Sequence, residues 1–433
     1  MRKLIVFASE DLATSNIFPV LQLRTVDGPW LPRLKTFVCE KAGRALIPFI
    51  SSFLSLKTTD IMVMFTEDPP AVVLASAIIS FSALCPDLEY IILIGLPRDP
   101  VITDAVSELL LGCNQDTLRV LQVDSPLTEE AREVAYRLPR LSQLWAVIQG
   151  PTSLPTVALP NLRRIDVEYD HLDWLRGFRG GALEKLEEVL FLSKSEQVGD
   201  FLGAFESVVL TTSIQNTLST LKFYTRHSWN PNYSSLLSFK QLKELEIEFS
   251  CYDGCSSKID DDTIASLAGT MPKLEVLRLG HAPCRTPTGA TVNGLIDLAC
   301  RCPNLSKLCI HFQAASLIEA ATSAVTQSPT SGELPIRRKD CALVDLEVGE
   351  IPMPAGSALT VALILLHIFP HILEVKYVSR EWKAVAETIT DFRRIGTFVH
   401  HSSKAHSSYL MILSDGIPED TIDAGRPPED GQA

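Results

Sequence analysis

Basic charge is scarce in this chain: its 433 residues carry 39 Lys and Arg against 52 Asp and Glu, a formal net charge of −13. Phosphate backbones are held by clustered Lys and Arg, so the balance argues against a general nucleic-acid binder. The one short basic run, Arg337-Arg338-Lys339, lies among Pro, Ser and Gly and reads as a solvated loop. Long apolar runs are missing too. After Met1-Arg2-Lys3 only Leu4 to Ala8 is apolar, which is shorter than the core of a secretory signal. Ala71–Leu84 and Ala358–Phe369 fall short of the ~18–20 residues that span a bilayer. Each precedes a strand-like segment, and both are expected to be core helices. These absences predict a monomer of the cytoplasm or nucleus, with neither a nucleic-acid nor a membrane partner.

Catalytic and cofactor signatures are also lacking. There is no G-x-G-x-x-G, no phosphate-binding G-x-x-x-x-G-K-[ST], no H-E-x-x-H and no G-x-S-x-G. Asp260-Asp261-Asp262 reads as a capped helix start rather than acid–base machinery. Cys251 and Cys255, with His281 and Cys284 beyond, have a spacing zinc tolerates, but Cys251 continues a strand and Cys255 falls in the next turn. His400, His401 and His406 stand among Ser and Lys, as in a mobile tail. The expectation is a protein that is not an enzyme and has no metal and no cofactor. Ten cysteines without a secretory signal read as free thiols, with Cys85, Cys113 and Cys302 as small buried hydrophobes. The sequons at Asn232 and Asn304 are then expected to carry no sugar.

What is present is a repeat. Leu162-Arg-Arg-Ile165-Asp-Val167, Leu242-Lys-Glu-Leu245-Glu-Ile247, Leu274-Glu-Val-Leu277-Arg-Leu279 and Leu305-Ser-Lys-Leu308-Cys-Ile310 share the pattern apolar-x-x-apolar-x-apolar. The phrase recurs from Leu34, Leu88, Leu118, Leu141, Leu186 and Leu218, with weaker copies at Leu4, Leu56, Leu343 and Ile372. Lead-ins such as Leu159-Pro-Asn, Met271-Pro-Lys and Cys302-Pro-Asn introduce it. Copies stand roughly 21 to 32 residues apart, with one gap near 38, which is close to the leucine-rich-repeat period. The last two apolar residues of each phrase share one face of a short strand. Parallel strands need crossovers, and Val101–Leu111, Asp262–Gly269 and Val292–Cys300 have helical apolar spacing, with N-caps expected at Asp104 and at Asp261 or Asp262. One unit cannot bury its apolar face alone, so neighbours must stack. The fold class is therefore α/β: a leucine-rich-repeat solenoid, parallel strands on the concave face and helices on the convex face.

Residues 1–390 are read as the array, with a long loop over about 327–340 and a C-terminal cap over about 379–395 carrying Trp382 and Val385. A tail follows over 396–433, disordered after about 415. Strand residues between the buried positions should line the concave face and meet a protein partner. They are Ile92, Ile94, Trp145, Val147, Asp166, Glu168, Leu190, Leu192, Tyr224, Glu246, Glu248, Arg278 and His311, with Gln122, Asp124, Lys222, Gly280 and Cys309 in the same rows. Trp and Tyr are the types that dominate interface energetics.

With lead-ins such as Cys85-Pro-Asp-Leu88 and Cys302-Pro-Asn-Leu305, and the closing Phe369-Pro-His-Ile-Leu-Glu-Val-Lys-Tyr377, the array resembles the repeat region of F-box proteins. It is most similar to the divergent kind abundant in mushroom-forming (basidiomycete) fungi. The resemblance covers about residues 3–390 and implies substrate recognition for a cullin–RING ubiquitin ligase of the SCF kind. In that family an F-box of about fifty residues binds the Skp-type adaptor. The chain departs from the pattern at its start, where no Leu-Pro-x-Glu-Leu opening occurs. Three readings remain: an F-box lost, one encoded upstream of Met1, or a stand-alone repeat scaffold with no ligase link. A Skp-type partner is expected only if an F-box lies upstream.

Overall fold

The computed structural model describes residues 1–7, 29–66, 69–149, 159–171, 175, 178, 183–194, 201–209, 214–226, 232–249, 259–280, 289–319, 341–348, 351–353, 356–377 and 379–399. Its frame is one parallel sheet of fourteen strands whose spatial order is the sequence order. The strands are β1 Lys3–Val6, β2 Thr36–Ala42, β3 Asp60–Phe65, β4 Tyr90–Ile94, β5 Val120–Pro126, β6 Gln143–Ile148 and β7 Arg164–Tyr169. They continue as β8 Glu188–Ser193, β9 Thr220–Thr225, β10 Glu244–Phe249, β11 Val276–Leu279, β12 Lys307–Ile310, β13 Asp345–Val348 and β14 Glu374–Tyr377. This is the leucine-rich-repeat solenoid that the recurring phrase predicts.

Through the apolar phrase the register is constant, because the phrase is stacked on itself; it shifts toward the ends of β2 and β5. Phe37 pairs with Ile61, Ile61 with Ile91, and the same row runs on through Leu121, Leu144, Ile165 and Val189. A one-residue slip would turn every one of these side chains out of the core. Just before each strand the backbone repeats one device. The carbonyl of the residue after the leading apolar position accepts two consecutive N–H groups from the next repeat. Lys35 and Thr36 both donate to Arg2, Thr59 and Asp60 to Lys35, and Glu89 and Tyr90 to Thr59. The pattern holds at all thirteen junctions of the fourteen strands, at 2.7 to 3.2 Å.

Two weak copies take a different register from the one read in the sequence. Leu56 is 72% exposed, and the leading position of β3 belongs to Thr58, which is 1% exposed. A threonine fits there because its hydroxyl donates to the Leu34 carbonyl (3.1 Å) and accepts the Ser55 N–H (3.1 Å). At the other copy Leu4 pairs with Phe37, so it occupies the second apolar position of the phrase and not the first.

The crossovers pack on one side of the sheet. They include α1 Ile50–Phe53, α2 Ala71–Leu84, α3 Pro100–Gly112, α4 Glu129–Ala135 and α5 Phe201–Val209, then α6 Asp261–Thr270, α7 Val292–Arg301 and α8 Ala358–Ile368. The expected caps are corrected toward the N-terminus, by five residues at α3 and by one or two at α6. Asp99, not Asp104, caps α3 through the Val101 N–H, and Asp260 caps α6 through the Thr263 N–H. Asp261 reaches forward one repeat instead. Its carboxylate accepts from the Thr291 N–H (2.7 Å), the Thr291 hydroxyl (2.5 Å) and the Gly294 N–H (3.1 Å) at the start of α7. Gly294 permits that approach, since a Cβ there would lie 2.8 Å from both Asp261 Oδ1 and Ile264 Cδ1. The two apolar helices are buried along one face only: α2 inserts Leu74, Ile78 and Phe81 but leaves Val72, Val73 and Ile79 exposed, and α8 leaves Leu359 exposed. No described helix is long and apolar enough to cross a membrane.

A cluster of aromatics fills the core beneath β7–β9. Phe201 and Phe205 of α5 meet Phe191, Phe223 and Tyr169, with the Phe201 ring 4.6 Å from Phe223 and 4.8 Å from Phe191. At the far end the helix α9 Arg380–Val399 buries Trp382, Val385 and Ile389 completely. The Trp382 indole N–H donates to the Ile351 carbonyl at 3.1 Å, and its ring meets Phe312 edge-on. The residues Cys251, Cys255, His281 and Cys284, the loop 327–340 and the tail from residue 400 lie outside the described residues.

Thr58→Val keeps the shape of its site but strips the hydrogen bonds from the Ser55 N–H and the Leu34 carbonyl. It is expected to cost about 1–3 kcal/mol in urea unfolding, while Leu56→Ala stays within about 0.5 kcal/mol of the parent.

Candidate functional site

The helix-free face of the sheet is built from the alternate residues of each strand and divides into three regions. Over β2–β4 it is apolar: Val38, Met62 and Ile92 are paired in register, as are Met64 and Ile94, and all five are partly exposed. Contiguous apolar surface of this kind is what interaction sites are made of.

Over β5–β8 the face is crossed by a bridge. The chain leaves β4 at Gly95, whose φ is +80° and whose Cβ, if present, would overlap the Phe65 carbonyl. Only glycine suits such a turn. The Gly95 and Leu96 N–H groups then donate to the Asp124 carboxylate on β5, at 2.6 and 3.1 Å. Burial pushes the Asp124 carboxyl up, the two N–H groups oppose that, and the nearby Glu168 charge adds to it. Two residues beyond Leu96, the chain presents Arg98, which pairs with Glu168 on β7; Lys194 holds the same carboxylate at 2.6 Å. Trp145 of β6 is partly exposed, yet its indole nitrogen is buried with no hydrogen-bond partner among the described residues. Leu190 and Leu192 of β8 are partly exposed.

Over β9–β13 the face is a lattice of charge. Lys222 pairs with Glu244 (3.0 Å) and Glu246 (3.2 Å), and the Tyr224 hydroxyl donates to Glu246 at 2.5 Å. Arg278 pairs with Glu248 on one side and reaches across β12 to Glu347 on the other, both at 3.2 Å. Burial alone would raise the Glu246 carboxyl, but the Tyr224 hydroxyl and Lys222 outweigh it and hold it below its ordinary value. Burial, the Glu246 hydrogen bond and the nearby carboxylates push the Tyr224 phenol above its own. Cys309, beside Arg278 in the register, is buried, and burial pushes its thiol up to about 12, with Glu347 adding to the effect.

Most of the concave-face residues named from the sequence are partly exposed on this surface: Ile92, Ile94, Trp145, Glu168, Leu190, Leu192, Tyr224, Glu246, Glu248 and Arg278, with Gln122, Asp124 and Lys222. Three named residues are corrected. Val147, Asp166 and His311 are buried, at 3%, 6% and 4% exposure, as are Gly280 and Cys309 in the same rows. Asp166 is closed off by the fork of Arg164, whose Nε and Nη2 hydrogen-bond it at 3.0 to 3.1 Å. Val147 lies on β6, next to the Glu168 that the Arg98 loop reaches on β7, and a register shift in β5 sets Pro126 beside it. The alternation rule says which way a side chain points and is silent about what lies over it.

Sequence reading missed a second surface. At the N-terminal rim of β4–β8 a groove of about 320 Å³ is lined by Tyr90, Arg119, Arg140, Ser142, Asn161, Arg163 and Lys185. The signal was available in the repeat frame: these cations flank the leading leucines of consecutive repeats, Leu118, Leu141, Leu162 and Leu186. They are too far apart in sequence to register as a basic run.

No protein-family model matches the chain, and no curated protein does. Among solved structures it is similar to a leucine-rich-repeat protein of Leptospira interrogans, at 11% identity and a TM-score of 0.37, over 87% of this chain and 90% of that one. At that level the superposition carries no argument about function, and the fold assignment rests on the sheet order and the repeat.

The lattice has a pH signature. The Glu246 folded value lies below the unfolded one, so its contribution is present above about 4.5 and is lost as pH falls through the lowered value. Glu246→Gln is expected to be less stable than the parent at pH 7 by no more than about 1 kcal/mol, given solvent screening. In urea titrations across pH that gap closes below 4.5.

Proposed function

We propose that this chain acts by holding another protein against the concave face of its sheet, as the F-box-type substrate-recognition subunit of a cullin–RING ubiquitin ligase. The binding half of the reading is carried by one observation: partly exposed apolar residues contiguous over β2–β4, with Leu190 and Leu192 farther along the same face as Trp145 and the β9–β13 charge lattice. Apolar anchors supply affinity, and a fixed pattern of charge supplies orientation and rejects wrong partners. The ion pairs on this face are already made within the chain, so they add little to its stability and hold charged groups in place. The ligase half rests on the resemblance of the lead-in phrases to F-box repeat proteins of the basidiomycete kind. In this reading the protein is a monomer of the cytoplasm or nucleus that performs no catalysis and needs no cofactor, and it meets the Skp-type adaptor only if an F-box lies upstream of the repeats.

Both halves are testable with the full-length native gene product. Co-purification with the Skp-type adaptor is expected, and its absence would sink the ligase assignment and leave a stand-alone scaffold. Trp145→Ala is expected to reduce recovery of proximity-labelled partners by tenfold or more, the scale of losing about 2 kcal/mol at an interface anchor. The melting temperature should stay close to that of the parent. A large drop in melting temperature would instead make Trp145 a core residue, and unchanged partner recovery would remove the concave face from the reading.

A further inference from the structure

The geometry points to a second binding site, a groove on the N-terminal rim of the sheet that takes a short acidic segment of a partner protein. Its location sets it apart from the concave face. Arg119, Ser142 and Arg163 are the residues immediately before β5, β6 and β7, while Arg140, Asn161 and Lys185 each precede a leading leucine. Their side chains therefore recur at the same rim of successive repeats. The rim carries four cations in a chain whose net charge is −13.

Internal pairing does not use up that charge. Arg119 pairs with Glu89 at 3.2 Å and Arg163 with Glu187 at 3.1 Å. Among the described residues Arg140 makes no ion pair, and Lys185 is held by the Asn161 side-chain carbonyl alone, at 2.7 Å. Asn161 in turn donates to the Pro139 carbonyl at 2.8 Å, and the Ser142 hydroxyl donates to the Arg119 carbonyl at 3.0 Å. These bonds fix the polar floor, so the cations need little reorganisation on binding. Tyr90, partly apolar and 37% exposed, closes the β4 end.

Size and charge select the ligand class. Neighbouring strands stand about 4.8 Å apart, so cations distributed over β5–β8 span roughly 15 Å, the length of four or five residues of extended chain. A peptide with carboxylates or a phosphate at alternate positions can meet Arg140 and Lys185 from that span, with guanidinium forks suited to such groups. A long polyanion is disfavoured, because the acidic remainder of the molecule repels the charge that extends past the groove. This makes the rim a docking point for an acidic stretch, whatever the concave face holds.

The test is fluorescence anisotropy with the full chain and a fluorescein-labelled Glu-Asp-Glu-Asp-Glu-Asp peptide, its Gln/Asn counterpart, and the acidic peptide carrying one phosphoserine. The acidic peptides are expected to bind at 50 mM salt and to weaken steeply at 200 mM, and the neutral one to be silent. The double variant Arg140→Glu/Lys185→Glu should weaken binding at least tenfold with an unchanged melting temperature, since both side chains are exposed. Trp145→Ala should bind like the parent, so failure of the rim site and failure of the concave-face reading are distinguishable. Absence of binding by the parent, equal binding by the double variant, or stronger competition from a single-stranded oligonucleotide of matched charge would each overturn the assignment.

Discussion

Each junction in this protein hangs on a carbonyl that accepts two N–H groups from the next repeat, and from β2 onward that carbonyl follows a buried side chain, apolar everywhere except at Thr58. The hydrogen bonds and the apolar row enforce the same alignment. Sliding one strand against its neighbour would strand buried N–H groups and expose a whole apolar row together. Because each repeat is locked only to its neighbours, the long-range order of fourteen strands follows from one local geometry applied thirteen times. Variation is tolerated wherever it respects that geometry. Thr58 takes a leading position by bonding to the carbonyl of the previous repeat, while Thr117 and Thr217, each one residue before a leading leucine, donate to the equivalent carbonyls of Leu88 and Leu186.

A rigid frame of this kind lets the surface diverge by region. The concave face is apolar at one end, bridged in the middle and charged at the other, although the backbone beneath is the same throughout. The bridge shows how far one residue's conformational freedom reaches. Gly95 turns the chain where a side chain could not fit, Asp124 receives the turn, and Arg98 is thereby delivered to Glu168 three strands away. On the rim, the same regularity aligns cations from four consecutive repeats that no sequence window contains.

Elements with strong periodicity were legible from the residues alone. The apolar phrases located the strands, and their spacing implied a parallel sheet with crossovers. The misread elements share a cause. Leu56 looked like a repeat position because it is a leucine, whereas the site selects for burial plus a hydrogen bond, which Thr58 supplies. Asp104 and Asp261 looked like caps because they are acidic and near helix starts. Asp99 and Asp260 are the residues whose extended backbone lets the carboxylate turn back onto the first N–H groups. Val147 and Asp166 face the expected side of the sheet and are buried nonetheless, one beside Pro126 of the shifted β5 and the other under the guanidinium of Arg164 on its own strand, neither of which alternation specifies.

By itself the sequence determined the architecture, because a buried apolar row repeated at short intervals admits one stacking: a solenoid with strands on one face and crossovers on the other. It also determined which side chains point toward the concave face, since alternation is a local property of a strand. Only the tertiary structure decided which of those side chains are accessible, how the ion pairs are shared between strands, and where the rim cations converge. Those depend on through-space neighbours one to three repeats away, and a chain read one residue at a time holds no record of such distances.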